Sequence, residues 1–231
     1  MNKVTDLINI FFSKELFSRT SNKRRFFNEA NLQFDLALFL KSNISDLEIN
    51  LEYPINHFFK NNIKLVKKEI DIFIEFEKEY LIIELKFPKK NAGMPLAFLN
   101  ALIDIQFCEQ IKYNHLSKAK KIHFVTIFLT DKDNFKSNSH IYEVFKPNEN
   151  TFNLSQEITL KDSNKTLRKG LKKINDKLCD INNFLAPWIP PNYDQSNDLE
   201  NDHHFNSFIL KDNHKIEWKN KNNWKYYIHK F

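Results

Sequence analysis

The segment KKEIDIFIEFEKEYLIIELKFP, residues 67–88, constrains the fold of this chain more than any other stretch. Two runs rich in Ile and Phe flank a charged Glu-Lys-Glu stretch, and β-branched and aromatic residues at a period of two favour strands. The pattern predicts a β-hairpin with strands over 68–76 and 80–87, even without the favoured Asn-Gly turn. Alternation places Ile70, Ile72, Ile74 and Phe76 on one face of the first strand and Asp71 on the other. On the second strand Leu81, Ile83, Leu85 and Phe87 share a face, while Glu84 and Lys86 lie together on the opposite one. A two-residue turn at Glu77 and Lys78 fixes the register so that Asp71 falls opposite Glu84, with Lys86 in reach of both.

The flanking sequence predicts what this hairpin packs against. Apolar residues at helical spacing mark helices over 4–18 (Val4, Leu7, Ile8, Phe11, Phe12) and 25–41 (Phe26, Ala30, Phe34, Ala37, Leu38, Phe39). A strand is expected over 47–58 until Pro54 breaks its ladder. After a loop at 88–95, Ala101, Ile105, Cys108 and Ile111 predict a helix over 96–117, and IHFVTIFLT predicts a buried strand at 122–130. A short strand is expected at 140–145, a basic helix at 164–185, an exposed Pro- and Asn-rich loop at 187–204 and a terminal hairpin rich in Trp and Tyr. The order predicts an α/β fold, a mixed central β-sheet flanked by helices. Residues 1–135 form the expected core, and 136–231 an extension packed on it.

With 231 residues, 42% apolar and 28% charged, the chain is long enough for one substantial core. Its two cysteines, Cys108 and Cys179, form no CxxC pair and read as reduced thiols rather than zinc ligands. The first residues lack the features of a secretory leader, and no run is apolar enough to span a bilayer, so a soluble cytoplasmic protein with no membrane partner is expected. A net charge of +6 favours a polyanionic partner, although abundant Asn and Lys also suit an AT-rich genome.

Two carboxylates beside an ammonium suggest a specific chemistry. Hard oxygen ligands suit Mg²⁺ or Mn²⁺, which bind a few carboxylates together with water and phosphate oxygens. Lys86 would orient or help deprotonate the attacking water and offset phosphate charge. The segment EIDIFIEFEKEYLIIELK resembles the signature of the PD-(D/E)XK nucleases, with Asp71 as the leading acid and Glu84 and Lys86 as the E-x-K pair; Ile70 stands in place of the proline. The resemblance covers roughly residues 25–130 and implies a restriction-endonuclease-like core with C-terminal additions. It implies a catalytic set of Asp71, Glu84 and Lys86, metal ligation by Asp71, Glu84 and Glu29, and auxiliary roles for Gln106 and Gln110.

The activity so implied is metal-dependent hydrolysis of DNA phosphodiesters, in restriction, defence or repair, with a homodimer left open. Lys89, Lys90, Arg168, Lys169, Lys172 and Lys173 are the candidate nucleic-acid contacts. The alternatives are an inactive nucleic-acid- or protein-binding module on the same fold, and a structural protein with a cross-strand charge cluster on a solvated sheet face. Each accessory residue also has a plainer role open to it: helix capping for Glu29, and solvated surface for the glutamines and the basic helix.

Overall fold

The computed structural model of the protein describes residues 1–16, 28–58, 67, 69–88, 93–114, 120–132, 140–160, 165–181, 183–191, 193, 195 and 207–231. The predicted hairpin forms β2 (Glu69–Phe76) and β3 (Glu79–Lys86), with the register set by a two-residue turn: Phe76 pairs with Glu79 and Ile72 with Ile83. Glu77 and Lys78 both take positive φ, 51° and 66°, the conformation of a type I′ turn made without glycine. Strand β1 (Glu48–Pro54) flanks β2, and Pro54, which has no N–H to donate, ends this edge strand.

Helix α1 (Asn2–Ile10) runs into a π-helical turn, Phe11–Glu15, and α2 (Glu29–Asn43) follows, capped by the Asn28 side chain on Asn31 N at 2.8 Å. Helix α3 (Met94–Asn114) crosses from β3 to β4 (Ile122–Asp131), so these two strands run parallel. Then come a short helix α4 (Ile141–Phe145), strands β5 (Thr151–Leu154) and β6 (Glu157–Thr159), helix α5 (Lys165–Ile181) and a 3₁₀ turn, Asn183–Trp188. Strands β7 (Ser207–Ile209), β8 (His214–Glu217), β9 (Lys219–Lys221) and β10 (Trp224–Lys230) complete the described elements. The central sheet has the order β1-β2-β3-β4-β10-β9, while β5 pairs with β8 and β6 with β7 outside it.

Both faces of the sheet are covered. Ile72, Ile74, Leu81, Ile83, Leu85, Val125 and Ile127 pack against α1, the π turn and α2, through Ile8, Phe11, Leu32 and Leu36. Phe73, Ile82, Phe124 and Phe128 pack on the other side beneath α3. The hairpin therefore has no solvated face, and the charges at 71, 84 and 86 lie on the side that α3 covers.

Four expectations are corrected. Residues 141–145 are helical because Ile141, Tyr142 and Phe145 share one face of a helix turn as readily as they alternate in a strand, and Lys146, at φ 40°, ends it. On α2 the buried stripe is Leu32, Leu36 and Leu40, whereas Phe34 and Leu38 are more than half exposed; the helix is apolar on two sides, so its periodicity did not single out a face. At 187–204, Trp188 and Pro190 are buried rather than in an exposed loop, and residues 196–204 lie outside the described residues. Strand β10 pairs with β4 from Trp224↔Asp131 to Lys230↔Val125, which inserts the C-terminal part into the core sheet instead of packing it outside.

A buried polar network locks this part onto α3. Glu109 is fully buried and accepts from Lys211 N (2.8 Å), Asp212 N (2.9 Å) and Trp188 Nε1 (3.3 Å), and its Oε1 lies 2.8 Å from His214 Nε2. His214 Nδ1 in turn meets His229 Nε2 of β10 at 2.9 Å. Both oxygens of the buried carboxylate are used twice, which is the condition for burying such a charge.

Candidate active site

The β2–β3 ladder stops at Ile72–Ile83, one residue short of Asp71 and Glu84, and β2 stays with β1 through Ile70↔Tyr53 and Glu69↔Pro54. The strands part there, and the N–H groups of β3 that would have continued the ladder are taken by carboxylates. Asp71 Oδ2 accepts from Leu85 N at 2.7 Å, and Glu29 Oε2, from the first turn of α2, accepts from Phe87 N at 2.8 Å. Gln33, one turn after Glu29, donates to the main-chain oxygen of Asp71 and to Glu52 Oε1 (2.9 Å). Glu52 sits in β1 with φ 50°, a left-handed conformation that costs a non-glycine residue of the order of 1–3 kcal/mol.

The three predicted catalytic side chains do converge, with two companions that sequence reasoning missed. Lys67 Nζ lies 2.9 Å from Asp71 Oδ1 and 3.5 Å from Asp104 Oδ1, and it donates to Glu84 Oε2. Lys86 Nζ lies 3.2 Å from Asp104 Oδ2, 3.3 Å from Glu29 Oε1 and 4.0 Å from Asp71 Oδ2. Glu84 is fully buried, Asp71 and Asp104 are buried, and Glu29 sits at the half-exposed rim. Glu84 Oε1 has no hydrogen-bond partner among the described residues.

The charges in this cluster perturb one another. Burial pushes the Glu84 carboxyl well above the usual range and Asp71 adds to the effect, with Lys67 opposing. Asp104 is raised chiefly by burial, against the pull of Lys67 and Lys86. Burial also raises Glu29, offset in part by Lys86 and the Phe87 N–H. For the lysines burial favours the neutral form, yet the carboxylates outweigh it: Asp104, Glu84 and Asp71 raise Lys67, and Asp104 and Asp71 raise Lys86. Both lysines are therefore ammonium ions near neutral pH.

Asp104 did carry a signal in the sequence. It lies on the Ala101–Cys108 stripe that periodicity assigns to the core, where a carboxylate is out of place without a task. Lys67, two residues ahead of β2, carried none.

Gln106 and Gln110 do not join the cluster. At 100° per residue Gln106 lies about 200° around α3 from Asp104, and its amide donates to Ile209 O at 2.7 Å. Gln110 is fully buried, with neither amide atom hydrogen-bonded among the described residues. On α5, Lys169 and Lys173 are exposed, and Lys172 is tied to Asp176 (3.1 Å) and the Gln195 carbonyl (3.1 Å). Arg168 is half-buried on the same helix. Lys89 and Lys90, together with the basic run 23–25 and His203 and His204, lie outside the described residues. Trp218, Tyr226 and Tyr227 are buried in the core.

Among the described residues no three His, Cys, Asp or Glu side chains stand ready-spaced around a metal; the Lys67 ammonium lies between the acids that would be candidates. The donor set nevertheless suits a hard divalent ion, being all carboxylate and including a buried oxygen without a donor. Comparison with protein-family models, curated proteins and solved structures found no match. No helix among the described residues is long and apolar enough to cross a membrane.

Proposed function

We propose that the protein is a metal-dependent nuclease that hydrolyses DNA phosphodiesters at Asp71, Glu84 and Lys86. The observation that carries this reading is a buried concentration of charge at a place where two strands part. Replacing such a cluster by apolar residues of similar volume is often neutral or stabilising, so its cost is best explained by a task other than stability.

Asp71 and Glu84 would hold Mg²⁺ or Mn²⁺, with Glu29 at the rim. A bound ion of this kind lowers the pKa of a water and offsets charge developing on a phosphate. The chain's own residues supply the rest. Leu85 N–H fixes the rotamer of Asp71, and Gln33 fixes its main chain. Lys86, held as an ammonium by Asp104 and Asp71, presents positive charge to a scissile phosphate and orients the attacking water. Glu29 is anchored by Phe87 N–H and stands between the buried acids and solvent, where it can accept a proton from water entering the site.

Cleavage of supercoiled, linear duplex and single-stranded DNA in millimolar Mg²⁺ or Mn²⁺ tests the reading, with Asp71→Asn and Glu84→Gln alongside. Metal-dependent cleavage by the parent and none by either variant is expected. Cleavage by both variants at the parent's rate would refute it, and DNA binding without any cleavage would point instead to an inactive binding module.

A further inference from the structure

Four carboxylates, Glu29, Asp71, Glu84 and Asp104, share two ammonium ions, Lys67 and Lys86, so the fully ionised cluster has two negative charges in excess. That excess is the charge of one divalent cation. Lys67 Nζ contacts oxygens from three of the acids, one each on β2, β3 and α3. Carboxylates on three different elements converging on one point make the arrangement expected of a cation site, and here a lysine fills that point. Acid residues alone would not define such a site, but the fully buried Glu84 Oε1, left without a donor among the described residues, indicates an electrophilic partner beyond Lys67.

We infer that Asp104 is a third carboxylate ligand of the metal site and that Lys67 is a built-in competitor, its ammonium holding the cation position until a divalent ion displaces it. The inference rests on the nuclease reading and extends its ligand set to α3. It follows from geometry and charge together. With Lys67 in place three buried acids keep a counter-charge; with the ion in place a second positive charge at the same point would be repelled, so Lys67 has to leave. Lys67 is not confined by a helix or a strand ladder and its side chain is partly exposed, so a route outward exists. Lys86 stays, because it meets Asp104 and Asp71 through the oxygens that Lys67 does not contact, Oδ2 in each case, and is also held by Glu29 at the rim.

A competitor that occupies the site most of the time lowers apparent affinity by the fraction of time the site is free, so removing its charge tightens binding by roughly tenfold or more. Mn²⁺ titration of the full chain, followed by calorimetry and by the electron-spin resonance of free Mn²⁺, gives the dissociation constants. Lys67→Met should bind Mn²⁺ roughly tenfold more tightly than the parent, and Asp104→Asn should bind roughly tenfold less tightly. Lys67→Met leaves three buried acids with one fewer cation, a burden on folding, so the parent provides a second and independent readout. Brief acetylation followed by mass spectrometry should show Lys67 labelling rise several-fold at saturating Mn²⁺, with Lys146, exposed and paired with Glu149 rather than with an acid of the cluster, as the internal reference. Mn²⁺ binding with unchanged Lys67 labelling and an unaltered Asp104→Asn affinity overturns the inference and leaves the nuclease reading intact. No Mn²⁺ binding by the parent, with or without duplex DNA, overturns both.

Discussion

The junction between β10 and α3 makes the stability of the protein depend on pH in a way that can be worked out. His229 is buried, its Nε2 is 2.9 Å from His214 Nδ1, and its ring stacks on Phe231 at 5.0 Å between centroids. Burial, reinforced by the neighbouring His214, pulls its pKa from the ordinary 6.5 down to about 3. The native state therefore binds fewer protons than the unfolded chain between these values. The stability this provides is present above about pH 6.5 and is lost as pH falls towards about pH 3. Between about pH 7 and pH 5 the loss comes to roughly 2 kcal/mol.

Glu84, Asp104 and Glu29 act in the opposite sense. Their raised folded values give stability that is present below the unfolded carboxylate value and lost as pH rises through the folded ones. They are common to parent and variant, so urea unfolding of the parent and of His229→Gln at both pH values isolates the histidine. The gap in unfolding free energy between the two proteins should shrink by roughly 2 kcal/mol on going from about pH 7 to pH 5. A gap that stays constant would show that the imidazole titrates normally in the fold, and the reasoning from burial would be wrong.

Glu84→Gln should melt no lower than the parent at about pH 8, since burial and Asp71 disfavour the carboxylate it removes; a clear drop in differential scanning calorimetry would mean that the Lys67 pair outweighs that burden. Lys86→Ala should keep DNA affinity within a small factor yet lose turnover, whereas neutralising Arg168, Lys169, Lys172 and Lys173 should flatten the slope of log K against log salt by roughly 0.9 for every phosphate no longer neutralised. Anisotropy titrations across salt check this, and an unchanged slope would mark α5 as a solvated face. Replacing Glu77 and Lys78 by Asn-Gly should raise the unfolding free energy by roughly 1–2 kcal/mol, because both residues sit at positive φ. No gain in a urea midpoint would show that the turn is relaxed as it stands.

The hairpin was legible in the sequence because strand alternation and a two-residue turn leave only one register, and Ile72↔Ile83 obeys it. The same logic brought Asp71, Glu84 and Lys86 to one face. Alternation could not show that this face is covered, since burial of Phe73 and Ile82 depends on α3, which is buried on nearly every side, at polar positions as well as apolar ones, so that its apolar stripe alone does not say which face meets the sheet. Nor could it show where the ladder ends, because that depends on Gln33 and Glu29 arriving from α2. Lys67 was illegible for a related reason: its contacts are with acids on three other elements, and no local pattern encodes such a meeting. The helix at 141–145 was missed because so short a segment does not separate a period of two from one of 3.6.

The placement of β10 has a consequence for how the chain reaches this structure. Its partner β4 is an inner strand, yet the two are separated by α4, α5 and the small ladders, so their pairing closes a long loop, and such non-local contacts are made late and slowly. Until then β4 has an unpaired edge of hydrogen-bonding groups, a template on which a second chain could dock. Glu109 lies on α3, the helix that also holds Asp104, and its partners come from residues 188, 211, 212 and 214, with His214 linking on to His229 of β10, so the helix behind the cluster is anchored by the same C-terminal part of the chain. Refolding should therefore show native helix content well before the cluster is assembled, and the yield of assembled protein should fall as the concentration of refolding chains rises.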